Sequence, residues 1–120
     1  MNAQPNSSEL ARLQIQAAQG PSIFVMTKPE ITIGRAGDND LVLQDPLVSS
    51  HHARLLYAAD GLRIVDLGST NGTFLNGQRL PPQSPRPFGP NDLLLLGQSR
   101  FTITSLAQPG AAGRPDSFNS

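Results

Sequence analysis

Apolar and polar residues alternate in short bursts along this chain, and glycine, proline or an Asp-Gly or Asn-Gly pair closes most bursts. Leu13, Ile15 and Ala17 alternate with Arg12, Gln14 and Gln16. A period of two marks a strand with one face buried. A helix over the same residues is the rival reading, but Gly20-Pro21 ends the run early. Ser22 to Thr27 predicts a second strand, Lys28-Pro29 a turn, and Glu30 to Ile33 a third strand. Arg54 to Ala58 and Leu62 to Asp66 read as a hairpin through Ala59-Asp60-Gly61, because Asp-Gly between alternating segments is a strong hairpin signal. Thr73 to Leu75 and Gln78 to Leu80 flank Asn76-Gly77 in the same way. Leu93 to Leu96 and Phe101 to Thr104 flank Gly97-Gln98-Ser99-Arg100. No apolar stripe runs at helical spacing for long, and no internal repeat is visible. Many short strands with frequent turns predict an all-β sandwich or barrel.

Three connections depart from tight hairpin chemistry: Gly34 to Asp40, Gln44 to Ser50, and Leu67 to Gly72. Loops of this kind on a rigid β scaffold are where binding groups usually sit. Their contents matter more than their length. Arg35 offers a planar fork of donors that stays charged at any working pH and matches two phosphate oxygens. The competing reading is a surface arginine paired with Asp38 or Asp40. Ser49 and Ser50 add hydroxyls, and backbone N–H groups in such a turn can form an anion nest. Thr70 adds another hydroxyl. The Asn71 amide offers donor and acceptor at once, suited to the main chain of an extended peptide. Asn71-Gly72 is also a turn sequence, as Asn76-Gly77 is. His51 and His52 are adjacent, so in a strand their imidazoles face opposite sides and cannot share a metal. One is expected to pin the loop, the other to be exposed. No metal site, cofactor or catalytic residue is expected.

Composition narrows the partners. The chain has 120 residues, with nine Lys and Arg against nine Asp and Glu. One ordinary domain follows, and no bulk positive field gathers nucleic acid or anionic lipid. Cysteine is absent, so the fold stands on its apolar core alone. No apolar run approaches about 18 residues, so no membrane insertion is expected, and no secretory signal is evident. A cytoplasmic location is the default expectation. Residues 1–9 read as a flexible lead-in, 10–106 as the domain, and 107–120, rich in Gly, Pro, Ala and Ser, as a linker or tail.

Taken in order, Ile31-Thr32-Ile33-Gly34-Arg35, then Val48-Ser49-Ser50-His51-His52-Ala53, then Val65-Asp66-Leu67-Gly68-Ser69-Thr70-Asn71-Gly72-Thr73-Phe74-Leu75-Asn76-Gly77 closely resemble the forkhead-associated (FHA) domain. Each piece is weak alone; the ordered set is specific, and the similarity covers roughly residues 11 to 105. The resemblance implies an FHA/SMAD-like β-sandwich of about eleven mostly antiparallel strands, whose end loops bind phosphothreonine peptides. It places Arg35, Ser49, Ser50 and Thr70 on the phosphate and Asn71 on the ligand backbone. Gly34, His52 and Gly72 then support the site structurally. Ser50 departs from the family pattern, where arginine or asparagine is common, which leaves the site less basic. Leu47 and Pro46 near the site suggest apolar rather than acidic selection beyond the phosphothreonine.

The implied function is a signalling module that recruits a partner phosphorylated by a Ser/Thr kinase. Every threonine (Thr27, Thr32, Thr70, Thr73, Thr102, Thr104) lies inside the expected domain, so the ligand is another protein or part of a longer parent chain. A phosphate-independent protein-interaction domain is the alternative. An enzyme acting on phosphate esters is a weaker rival, since His52 is its sole candidate base.

Overall fold

The computed structural model describes residues 9–17 and 19–107. Except for Glu9 and Ala107, the expected lead-in and tail lie outside the described residues. Eleven strands and no helix occupy the described residues, and with no helix among them, none is available to cross a membrane. In chain order they are β1 (Ala11–Ala17), β2 (Gly20–Met26), β3 (Glu30–Gly34), β4 (Leu41–Val42), β5 (Ala53–Ala58), β6 (Gly61–Asp66), β7 (Thr73–Leu75), β8 (Gln78–Arg79), β9 (Arg86–Phe88), β10 (Leu94–Leu96) and β11 (Ser99–Leu106). They form a six-stranded sheet, ordered β2-β1-β11-β10-β7-β8, and a five-stranded sheet, ordered β4-β3-β5-β6-β9. All pairings are antiparallel except β3 with β4.

Alternation along each strand builds the core between the two sheets. Ala11, Leu13 and Ile15 of β1 are buried while their neighbours are half-buried or exposed. Ile31 and Ile33 of β3, Leu55 of β5, Ile64 of β6, Leu94 and Leu96 of β10, and Phe101 of β11 complete the centre. β1 is therefore a strand, as its period indicates, and the helical alternative fails.

Turn chemistry sets register at the hairpins. Asn76 (φ 52°) and Gly77 (φ 86°) are both left-handed, the arrangement that matches strand twist in a two-residue turn, and Leu75 pairs with Gln78 across it. The β5–β6 turn is Ala59-Asp60, with Gly61 already in β6 opposite Ala58. Two expectations shift. Gly20 and Pro21, read as a breaker, open β2 and pair with Ala17 and Gln16. The β10–β11 turn is only Gly97-Gln98, because Ser99 is buried and pairs with Leu96. Two strands were not foreseen. β4 is two residues long, and β9 carries Pro87 at a sheet edge, where a missing N–H costs no ladder bond.

Candidate functional site

The three irregular loops leave the C-terminal ends of β3, β4 and β6 and converge. Gly34 makes the first junction possible. A Cβ there would lie 2.2 Å from the Ser50 carbonyl oxygen, so no other residue fits without displacing backbone. With that gap closed, the Arg35 N–H donates to the Ser49 carbonyl (3.0 Å) and the Ala36 N–H to the Ser50 carbonyl (3.1 Å). Buried Asn39 reinforces the seam, donating from Nδ2 to the carbonyls of Ala36 and Ser50.

Buried Asp45 anchors the second loop. Its carboxylate accepts from the N–H of Leu47 and, across the sandwich, from the Gln98 N–H and the Ser99 hydroxyl. Burial alone raises its pKa, but these three donors outweigh it and hold the carboxyl below its ordinary value.

Asp66 does the same for the third loop. Its oxygens accept from the N–H groups of Gly68 and Ser69 and from the hydroxyls of Ser69 and Thr73. Ser69 Oγ in turn accepts from the Gly72 N–H. Desolvation again pushes upward, and the hydrogen bonds win, leaving the Asp66 pKa lowered.

His52 ties the second loop to the third. It is fully buried just before β5. Its Nδ1 accepts from the Ser49 N–H (3.0 Å) and its Nε2 faces the Gly72 carbonyl (3.0 Å), which assigns the neutral ring with the proton on Nε2. Burial depresses its pKa below 6.5, against the opposing pull of the Gly72 carbonyl and of Asp66 and Asp45. The unfolded chain therefore binds a proton more readily than the folded one. The stability this contributes is complete above pH 6.5 and is lost as pH falls toward the depressed folded value. We expect the urea midpoint to drop between about pH 7 and pH 5. A flat profile across that window would remove the buried neutral imidazole.

His51 is exposed and lies against Asp38, so the two imidazoles diverge, though neither is in a strand. Among the described residues no cluster of metal-ligating side chains forms.

Above this framework lies a cleft of about 310 Å³. Arg35, Ser49, Ser50, Thr70 and Asn71 supply its polar lining, and Pro46, Leu47 and Val48 its apolar wall. Ser49 Oγ accepts from the Thr70 N–H (3.0 Å), which leaves the hydroxyl proton to point elsewhere. Asn71 Nδ2 donates to the Leu47 carbonyl (2.9 Å), joining the second and third loops across the cleft. Its amide oxygen is bonded to nothing among the described residues. The Arg35 side chain is exposed, and no carboxylate among the described residues pairs with it. Asp38 is taken by His51, and Asp40 by Lys28 and Thr32. The reading of Arg35 as a paired surface arginine therefore fails.

An FHA domain model matches residues 31–97, more than half the chain and all three loops. This chain belongs to the FHA domain family. It is 40% identical over 73 residues to the FHA domain-containing protein FhaB of Mycobacterium tuberculosis, spanning 61% of this chain and 46% of that protein. It is 32% identical over 88 residues to the oxoglutarate dehydrogenase inhibitor of Corynebacterium efficiens, spanning 73% of this chain and 58% of that one. The matches thus cover about half the length of these relatives. A solved structure from work on phosphothreonine-dependent FHA domain interactions superposes with a TM-score of 0.70 at 25% identity, over 81% of this chain and 97% of that one. Mycobacterium tuberculosis EmbR in complex with a low-affinity phosphopeptide gives 0.69 at 27%, over 81% of this chain and 25% of that one.

Within this FHA domain, the five residues read from sequence as ligand-facing line one cleft, and Gly34, His52 and Gly72 lie beneath it. Asn39, Asp45, Asp66, Ser69 and Thr73 build the frame and were not singled out from sequence. Asp45-Pro46 and Asp66-Leu67-Gly68 were their available signal, an acid that can cap a turn two residues on. Arg79 also reaches the third loop and was not anticipated.

Proposed function

We propose that this FHA domain binds a phosphothreonine-containing segment of another protein, or of a longer chain that includes it, and catalyses nothing. The single observation that carries the reading is the exposed Arg35 guanidinium, without a carboxylate partner among the described residues, on a cleft lined with hydroxyls. A phosphate monoester brings about −1.5 to −2 charges at pH 7. Arg35 neutralises part of that charge as a bidentate donor. Ser49, whose oxygen already accepts from the Thr70 N–H, gives its proton to a phosphate oxygen. Ser50 and Thr70 complete the shell. Asn71, held in place by its bond to Leu47, presents its remaining amide groups to the ligand main chain. Gly34, His52 and Gly72 keep these parts in register.

The threonine methyl needs a separate cause, because phosphoserine carries the same charge. Pro46, Leu47 and Val48 supply an apolar wall for it. Burying one methyl contributes about 0.8 kcal/mol, close to a fourfold preference, and more if a void would otherwise remain. Calorimetric titration of matched peptides tests the reading. Phosphothreonine should bind, phosphoserine several-fold more weakly, and the unphosphorylated peptide not at all. Binding that survives phosphatase treatment would favour the alternative, a phosphate-independent interaction domain.

The solved complex of EmbR with a phosphopeptide and that of the FhaA FHA domain with the intracellular domain of Rv3910 support a phosphoprotein partner by likeness. A Ser/Thr kinase upstream, a cytoplasmic setting and membership of a larger multidomain protein complete the proposal.

A further inference from the structure

We propose that Arg79 is a second cation of the ligand surface and that it selects phosphothreonine ligands bearing an acidic side chain where they cross the Thr70–Gly72 loop. The inference rests on the phosphothreonine reading above. Arg79 stands on β8 just past the Asn76-Gly77 turn, paired with Phe74 of β7. From there its side chain folds back over Gly72. A Cβ on Gly72 would lie 2.7 Å from Arg79 Nε and 3.0 Å from Cζ, so the missing side chain is what lets the guanidinium lie on the loop. Gly72 therefore has two reasons to be glycine: its φ of +92° and this contact.

The guanidinium is placed but barely used. Among the described residues its side chain makes one hydrogen bond, from Nη2 to the Thr70 carbonyl at 3.5 Å, the outer limit for such a bond. Of its five donors, at least four have no partner among the described residues. Its charge is also uncompensated. Arg12, Lys28, Arg54 and Arg63 each face a carboxylate, and Arg79 faces none among the described residues. The carboxylate that anchors the neighbouring loop, Asp66 at the end of β6, is buried beneath four donors of its own.

The Thr70–Gly72 loop thus carries an exposed cation laid over Gly72, whereas Pro46 and Leu47 belong to the apolar wall of the cleft. Leu47 is 40% exposed, so that wall is open to a ligand. A peptide clamped by Asn71 between them meets an apolar surface on one flank and positive charge on the other.

The test is a glutamate scan. A phosphothreonine peptide with neutral flanks receives Glu at each flanking position in turn, and each peptide is titrated against the wild-type domain, Arg79→Gln and Arg79→Lys. At one or two positions Glu should tighten wild-type binding roughly two- to fivefold, the range for an exposed ion pair, and added salt should erase the gain. The gain should vanish in Arg79→Gln, return in part in Arg79→Lys, and the neutral peptide should keep its affinity in both. No gain at any position, or a gain that survives in Arg79→Gln, overturns the proposal. So does an equal loss of neutral-peptide affinity in both variants, which would make Arg79 a prop for the loop. If the neutral phosphothreonine peptide fails to bind the wild-type domain, the phosphothreonine reading itself falls.

Discussion

Replacing Arg35 with alanine should abolish measurable phosphopeptide binding and leave the melting temperature unchanged. The two halves of that expectation have one cause. In the free domain Arg35 makes no ion pair among the described residues, so the fold loses nothing when it goes. In the proposed complex it faces a near-dianion that has left water. Removing one partner of a desolvated charge pair costs on the order of 2–5 kcal/mol, which is at least about thirtyfold in affinity. Arg35→Lys should recover only part of the loss, because an ammonium is a point charge and cannot span two oxygens. Calorimetry with one phosphothreonine peptide, alongside a thermal melt, reads both halves. Undiminished affinity in Arg35→Ala would sink the site.

Asp66→Ala should act the other way round and damage the fold first. Four donors converge on this one carboxylate, and Ser69 and Thr73 are themselves buried. Alanine leaves those donors without an acceptor, at about 1–3 kcal/mol for each that stays dry. A total loss on the order of 3–5 kcal/mol is a large share of the roughly 5–15 kcal/mol that holds a domain together. Urea denaturation should show it, and a loss below about 1 kcal/mol would mean that water replaces the carboxylate freely. Phosphopeptide affinity should fall as well, since the Ser69–Gly72 segment is what positions Thr70 and Asn71. Arg35→Ala and Asp66→Ala therefore separate a group that meets ligand from one that holds such groups still.

Much of this was readable along the chain because it is local. Asn76-Gly77 specifies its own turn, since both residues adopt φ values that other side chains resist. The alternation of Leu13 and Ile15 declares a face. What was not readable depends on partners far away. β4 exists because Leu41 and Val42 come to lie beside Ile33 and Gly34 in parallel, a pairing that two residues cannot announce. Ser99 looked like loop because it is polar, yet it is buried on the oxygen of Asp45, a residue 54 positions earlier. The same holds at the site. Arg35, Ser49 and Asn71 were legible through an ordered motif. Asn39 and Asp45 hold their loops largely through bonds to main-chain atoms, which leave no mark on the sequence of the segment they hold. Arg79 escaped notice because an arginine after a hairpin turn is ordinary until Gly72 is seen beneath it.

β1 begins where β11 ends: Ala11 pairs with Leu106, and the Ala107 N–H donates to the Leu10 carbonyl at 2.9 Å. Met26 sits opposite Ala11, and Tyr57 bonds both Pro29 and Ala107, so this junction lies at the far end of β3 from Gly34. The start of the first strand and the end of the last thus form a single doorway, about 5 Å wide, on the side away from the cleft. A host protein could splice the whole reader into one of its surface loops, and neither its own backbone path nor the captured peptide would have to give way.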